Sequence, residues 1–312
     1  MPSRWKALAA RSGDRALNIA HRGGRAFAPE NTIEAIEKAA LLGADMVEID
    51  VHLSRDGLLV VIHDDDLVRC SDATVRFPNR RPWCVRDFSL AEIQSLDAGS
   101  WYVAELAKPP AARQPFLRSL TDAERLEFIG EHELSAYASG HVRHPGLLDC
   151  LVRARDLSMM VNVEIKNLPR RYPGIVEKTV AAIAAARVEH LTLVSSFDHE
   201  AVAALRRLNG AIATAVLTQD VLYQPEAYLA RLDADALHPE CLPDDEAIAA
   251  IRSSERGVNI WTENDPRRMR KLIDAGVTGI MTDYPNRLRN NRGSEAHSDE
   301  RQERSAHRRR AE

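Results

Sequence analysis

Glu48 and Asp50 stand two residues apart in Val47-Glu48-Ile49-Asp50-Val51-His52, where apolar and polar side chains alternate with the period of a strand. Asp56-Gly57 then signals a hairpin, and a second apolar run, Leu58 to Ile62, ends in His63-Asp64. The return would bring His63 towards both carboxylates. Two acids on one strand face with a histidine beside them make half of a site for a hard metal ion. A surface hairpin with solvated acids alternates in the same way, so this stretch alone leaves both readings open.

Other residues join them. His21-Arg22 follows the short run Leu17 to Ala20; Asn162, Glu164 and Lys166 share one face of Met159 to Lys166; Ser195-Ser196, Trp261 and Asp283 close later runs. Glu48, Asp50 and Glu164 offer oxygen ligands only, which selects Mg2+ or Ca2+ over zinc. His21 and His63 then stay free to move protons near neutral pH. Arg22 and Lys166 would hold an anion. A divalent ion, two cations and two histidines suit cleavage of a phosphate ester: positive charge meets the phosphoryl oxygens, one histidine takes a proton and the other gives one.

Each residue alone has an ordinary explanation. His21 can bond backbone at a strand end, and Glu164 with Lys166 can be an internal salt bridge. Ser195 can cap a helix. Trp261 is a candidate substrate wall, although such a tryptophan is more often core. His52, His144 and His238 read as structural. The joint placement carries the reading. Each residue falls at the same end of a different expected strand, and so many charges are costly to bury unless paired or metal-bound.

The elements that must position them repeat. Strands are expected to begin near 17, 45, 159, 191, 212, 234, 258 and 279, with helices between them. The first helix would start at Asn31 as its cap, with Glu34 three residues on. Leu58–Ile62 is left out of the count, because a two-residue turn can only make an antiparallel pair. Eight parallel strands closing on themselves give a (β/α)8 barrel with an insertion after the strand-two hairpin, and sites in such barrels lie at the C-terminal strand ends. Residues 1–287 read as a single catalytic barrel with 64–157 as an inserted cap over that mouth. Within the cap a short helix should start near Ser89. A surface helix is expected over about 119–137, touching substrate, and another from Pro145 to about Arg155. Residues 288–312 have almost no large apolar side chain and read as a disordered charged tail.

Composition sets the outer limits. The chain has 312 residues, 45% hydrophobic and 28% charged, as in a globular protein. Its net charge of −4 gives no footprint for nucleic acid. Cys70, Cys84, Cys150 and Cys241 are scattered, with no paired spacing, and read as reduced thiols of a cytoplasmic protein. No apolar run is long enough for a signal peptide or a membrane span, so no stable membrane insertion is expected. The oligomeric state is not legible.

The motifs also resemble a known family. Ala20-His21-Arg22-Gly23-Gly24, Ala28-Pro29-Glu30-Asn31-Thr32, Val47-Glu48-Ile49-Asp50-Val51-His52-Leu53-Ser54-Arg55-Asp56-Gly57 and Val60-Val61-Ile62-His63-Asp64 are similar to those of glycerophosphodiester phosphodiesterases. So are Val163-Glu164-Ile165-Lys166, Ser196-Phe197, Trp261-Thr262-Glu263-Asn264 and Gly279 to Pro285, and the match spans about 17 to 287. The resemblance implies a (β/α)8 barrel related to phosphatidylinositol phospholipase C barrels. It implies a small-molecule glycerophosphodiester substrate, cleaved to an alcohol and glycerol 3-phosphate with Mg2+ or Ca2+. By it, His21 and His63 are the acid/base pair, Glu48, Asp50 and Glu164 the metal ligands, and Arg22 and Lys166 the phosphate contacts. Three departures bear on the alcohol group rather than on the chemistry. Extra residues lie around 102–143, His144-Pro145-Gly146-Leu147 replaces the usual helix start, and Glu263 stands where an apolar residue is usual. An alternative within the superfamily is a lysophospholipase D acting on lipid-tailed diesters. A catalytically silent barrel would have lost one of these residues, and a lyase of enolase type would not need the second histidine.

Overall fold

The computed structural model describes residues 4–13 and 15–291. Its strands are β1 (Leu17–Ala20), β2 (Met46–Leu53), β3 (Leu59–Val61), β4 (Met160–Ile165), β5 (Thr192–Ser196), β6 (Ala213–Thr218), β7 (Ala236–Pro239), β8 (Gly257–Ile260) and β9 (Gly279–Thr282). Without β3, the nine-stranded sheet is a ring of eight parallel strands, closed because β1 pairs with both β2 and β9. Helices run between successive parallel strands from β4 onwards, for example Ile175–Ala186 after β4 and His199–Leu208 after β5. This is the expected (β/α)8 barrel. β3 is the return arm of the hairpin and pairs antiparallel with β2, Val51 facing Val61 and Leu53 facing Leu59. The turn between them places Gly57 at φ +71°, a conformation that glycine adopts freely.

Apolar layers explain why the ring closes. Leu17, Ile19, Met46, Met160, Leu193, Ala213, Ala215, Ala236 and Met281 fill the lower barrel. The helix Arg4–Ala9, which the periodicity did not reveal, brings Trp5 into the same cluster. Gly257 must be glycine there, since a Cβ would lie 2.5 Å from the Trp5 ring. Outer cores form where helices pack on the strands, such as Val216, Leu237, Ile248, Val258 and Ile280. Leu288 is fully buried in that last core, so the order of the chain extends past the expected start of the tail at 288. Residues 292–312 of that expected tail lie outside the described residues.

The segment between β3 and β4 is built from short helices. Ser89 caps Leu90–Gln94 through a capping box with Glu92, as its spacing predicts. The helix expected over 119–137 is instead two, Asp122–Phe128 and Glu131–Tyr137, parted at Ile129-Gly130, and each begins with its own acidic first turn. Glycine is the poorest ordinary helix former, and the continuous-helix reading underrated it. These helices grip the barrel's flank: Lys38 Nζ donates to Phe128 O at 2.8 Å, and Arg287 Nε to Glu124 Oε1 at 2.6 Å. Phe116, Leu117, Ile129 and Tyr137 share a core with Phe27, Leu42 and Tyr284. The helix Leu147–Asp156 then leads into β4. Among the described residues no helix is long and apolar enough to cross a membrane. All four cysteines are free thiols.

Candidate active site

Strand register assembles the acids. β2 and β4 are parallel neighbours with Glu48 beside Asn162 and Asp50 beside Glu164. The two-residue period then turns Glu48, Asp50 and Glu164 to one face, into the barrel. One oxygen from each lies within 4.8 Å of the others, and all three residues are buried. The hairpin delivers His63 just beyond, with Ile62 N donating to Asp50 O at 3.0 Å. His52 props that return: its Nε2 meets His63 O at 3.0 Å and its Nδ1 meets Tyr172 Oη at 3.1 Å.

β1 ends in a tight turn, His21–Gly23, in which Arg22 adopts φ 50°, an uncommon backbone for a side-chain-bearing residue. The turn aims Arg22 N at Glu48 Oε2, 2.8 Å away. Gly23, at φ +86°, lets the turn press on the following helix, because a Cβ there would sit 2.4 Å from Ala35 Cβ. Thr32, not Asn31, caps that helix by accepting from Ala35 N. Asn31 is used elsewhere. Its Nδ2 donates to Asp50 Oδ2 at 2.8 Å and its Oδ1 accepts from Asp50 N at 3.2 Å. Cap chemistry at Asn31 and Thr32 is interchangeable in a sequence, whereas only one of them reaches β2.

Each histidine has a carboxylate on Nδ1. His21 meets Asp283 Oδ1 at 2.7 Å and His63 meets Asp64 Oδ1 at 2.6 Å. Both leave Nε2 for other partners. Asp283 is held in turn by Arg25 Nε at 2.7 Å and Asn264 Nδ2 at 2.7 Å. Arg69 holds Asp64 through Nε at 2.7 Å. Burial, together with Arg25, lowers His21 to about 4 against the pull of Asp283, so the ring is neutral at pH 7.

The acids repel one another. Burial raises Glu48 well above the usual carboxylate range, and Asp50 and Glu164 raise it further. Burial raises Glu164 as well, with Asp50 adding to it and Lys166 opposing. Asp50 goes the other way: against the cost of burial, Lys166, His63, Arg22 and the Asn31 bond hold it well below its ordinary value. Lys166 Nζ lies 3.0 Å from Asp50 Oδ1 and 2.5 Å from Glu164 Oε1. The internal salt bridge and the site are thus the same residues. Glu48 Oε1 is buried with no hydrogen-bond partner. A divalent cation fits this set: three convergent carboxylates, Glu48 with an unpartnered buried oxygen, and mutual repulsion that a positive ion would relieve.

Arg22 is 8% exposed and pairs with Glu30 at 2.9 Å, while its Nε is 3.6 Å from Asp50. Trp261 packs edge-on to Phe197 at 5.6 Å and donates Nε1 to His238 O at 2.8 Å, so it can offer a substrate only its ring. Ser196 Oγ donates to Ile165 O, and Ser195 Oγ is buried without a partner. Residue patterns had not singled out Glu30, Asn31, Asp64, Arg25, Arg69 or Asn264 for the site. Asp64 follows His63 directly, and Glu30 and Asn31 sit in the Pro-Glu-Asn-Thr motif, so those three were findable. Nothing local marks Arg25 or Arg69.

Comparison with known proteins agrees with this architecture. The profile of the Glycerophosphoryl diester phosphodiesterase family matches residues 21–287. A glycerophosphodiester phosphodiesterase of Bacillus altitudinis is 32% identical over 86% of this chain and 95% of its own length. One from Caldanaerobacter subterraneus subsp. tengcongensis is 32% identical over 88% and 96%. Among solved structures, an Oleispira antarctica phosphodiesterase in complex with the product sn-glycerol-3-phosphate superposes with a TM-score of 0.67 and 27% identity, covering 88% of this chain and 95% of that one. A glycerophosphodiester phosphodiesterase from Agrobacterium tumefaciens shares the fold with a TM-score of 0.63 at 24% identity, covering 86% and 97%.

Proposed function

The chain belongs to the glycerophosphoryl diester phosphodiesterase family, and on that footing we propose that it cleaves glycerophosphodiesters to an alcohol and glycerol 3-phosphate by metal-dependent histidine acid/base catalysis. The single observation that carries the reading is the convergence of Glu48, Asp50 and Glu164 within 4.8 Å, with His63 near enough to act on the charge of Asp50. Glu48, Asp50 and Glu164 would hold the cation, Mg2+ or Ca2+. Bound there, the cation supplies positive charge to the phosphoryl oxygens and positions the ester. The catalytic unit is the barrel, extended past 287 by Leu288 in its outer core, with 64–157 inserted between β3 and β4.

The rest is the work of side chains. Arg22 and Lys166 hold the phosphoryl oxygens, and Trp261 walls the pocket. Neutral His21, oriented by Asp283, takes the proton of the glycerol 2-hydroxyl, which attacks phosphorus. His63, oriented by Asp64, gives a proton to the departing alcohol. Water then opens the cyclic glycerol phosphate with the two histidine roles reversed. Burial leaves the His21 ring unprotonated at pH 7, so Nε2 has a free lone pair with which to accept the hydroxyl proton.

Lipid-tailed diesters are a second reading, favoured by one observation. Leu168, Val221, Tyr223 and Leu242 are exposed on loops that follow β4, β6 and β7, at the end of the barrel that carries the site. Choline release from glycerophosphocholine, with glycerol 3-phosphate as co-product, and from lysophosphatidylcholine, with lysophosphatidic acid as co-product, each with and without EDTA, tests both. No release from any diester would overturn the proposal, and release only from the lipid would replace the first reading by the second.

A further inference from the structure

Glu30 has no place in the chemistry above, yet it is 2% exposed and gathers three guanidinium groups. Its Oε1 accepts from Arg22 at 2.9 Å and from Arg69 at 2.7 Å. Its Oε2 accepts from Arg69 at 2.8 Å and lies 3.8 Å from Arg25. Although burial disfavours its charge, Arg22, Arg69 and Arg25 keep Glu30 ionised, well below the ordinary carboxylate range.

Two of these arginines also hold the carboxylates that orient the histidines. Arg69 spends one edge of its guanidinium on Glu30 and another on Asp64, with Nε at 2.7 Å and Nη2 at 3.0 Å from the Asp64 oxygens. Arg25 reaches Asp283 through Nε at 2.7 Å, and its guanidinium stacks 4.3 Å over the Phe116 ring. An unbroken line of polar contacts thus runs His63–Asp64–Arg69–Glu30–Arg25–Asp283–His21, with ion pairs between the arginines and the carboxylates. A planar guanidinium binding two carboxylates by separate edges fixes their mutual orientation, which a lysine could not do.

We propose that Glu30 is a positioning residue that sets the two histidines in register with each other and with Arg22. It is not one of the convergent acids that suit a cation. Its negative charge is what allows three arginines to crowd one point. Neutral glutamine of the same shape would leave them repelling one another, and Arg69 and Arg25 would carry Asp64 and Asp283 with them. The histidines sit just past the ends of β1 and β3, two elements whose side chains must meet one phosphoryl group, and displacement by about 1 Å can cost about 10²-fold in rate.

The proposal rests on the acid/base reading of His21 and His63, and the test separates the two. Glu30→Gln, Asp64→Asn and Asp283→Asn are compared singly and in pairs, with kcat, KM, thermal midpoint and calorimetric Mg2+ binding for each. Glu30→Gln is expected to lower kcat about 10²-fold and to raise KM through Arg22, with metal binding kept. Adding Asp64→Asn to it should cost far less than Asp64→Asn alone, since both act along one line. A kcat within about threefold of the parent, or losses that multiply independently, would overturn the proposal. If Glu30→Gln does not fold, Arg69→Gln cuts the same line at a link that is 27% exposed, and an unchanged kcat there overturns it equally. Should His21→Ala and His63→Ala both stay active, it is the acid/base reading that falls, whatever Glu30→Gln does.

Discussion

His21 Nδ1 and Asp283 Oδ1 lie 2.7 Å apart although 262 positions separate them in the chain. β1 and β9 are neighbours in the closed ring, with Ala20 beside Thr282, so the residues that follow them meet at the mouth. The pair fixes which ring nitrogen faces inward and, on the proposed mechanism, would stabilise the imidazolium formed when His21 takes a proton. Asp283→Asn keeps the shape but removes that charge. It should lower kcat by about 10²- to 10⁴-fold, the range for a lost general base, and lower the thermal midpoint too, because Arg25 and Asn264 lose a buried ionised partner. Steady-state kinetics with a glycerophosphodiester read this directly, and an unchanged kcat would separate Asp283 from the chemistry.

Metal removal should abolish activity, and readdition of Mg2+ or Ca2+ should restore it. Glu48→Gln and Glu164→Gln should each weaken binding in a calorimetric titration, because each removes one of three convergent oxygen donors. Full turnover after exhaustive EDTA treatment would contradict the oxygen-ligand reading of this cluster.

The cyclic route needs a free hydroxyl beside the ester carbon. A diester of 2-deoxyglycerol should therefore not turn over, whereas direct attack by water would cleave it briskly. His21→Ala and His63→Ala should each cost about 10²- to 10⁴-fold on the normal substrate.

His238 offers a pH test away from His21 and His63. Burial alone lowers it to about 3, while an exposed histidine titrates near 6.5. Between those values the unfolded chain takes up a proton that the folded chain refuses. The stability is therefore complete above about pH 6.5 and falls as the pH drops towards 3. At pH 4.5 the loss from this one ring is about 2–3 kcal/mol relative to neutral pH. Urea unfolding of His238→Gln at pH 7 and 4.5 should show an acid-induced loss smaller by that amount, and an equal loss in parent and variant would refute it.

Excision of residues 104–141 should prevent cooperative folding. The cut removes Phe116, Leu117, Leu120, Ile129 and Tyr137 from a core that also buries Phe27 and Tyr284 completely. Each large apolar side chain uncovered costs about 1.5–3 kcal/mol, and a domain has only about 5–15 kcal/mol in all. Loss of a cooperative thermal transition checks the outcome.

Much of this protein was determined by the sequence on its own, because local rules act locally. Strand alternation faced Glu48, Asp50 and Glu164 the same way, the Asp56-Gly57 turn returned His63, and the spacing of eight strands left little but a closed barrel. Tertiary structure decided what depends on residues far apart in the chain. Asn31 serves Asp50 instead of capping a helix, because β2 happens to run beside it. Arg25 and Arg69 join the two histidine sites only once ring closure and the segment after β3 bring them to Glu30. The segment after β3 clasps the flank because Phe27 and Tyr284, on turns after the first and last parallel strands, need apolar cover. No period or motif encodes such contacts; packing across the closed ring creates them.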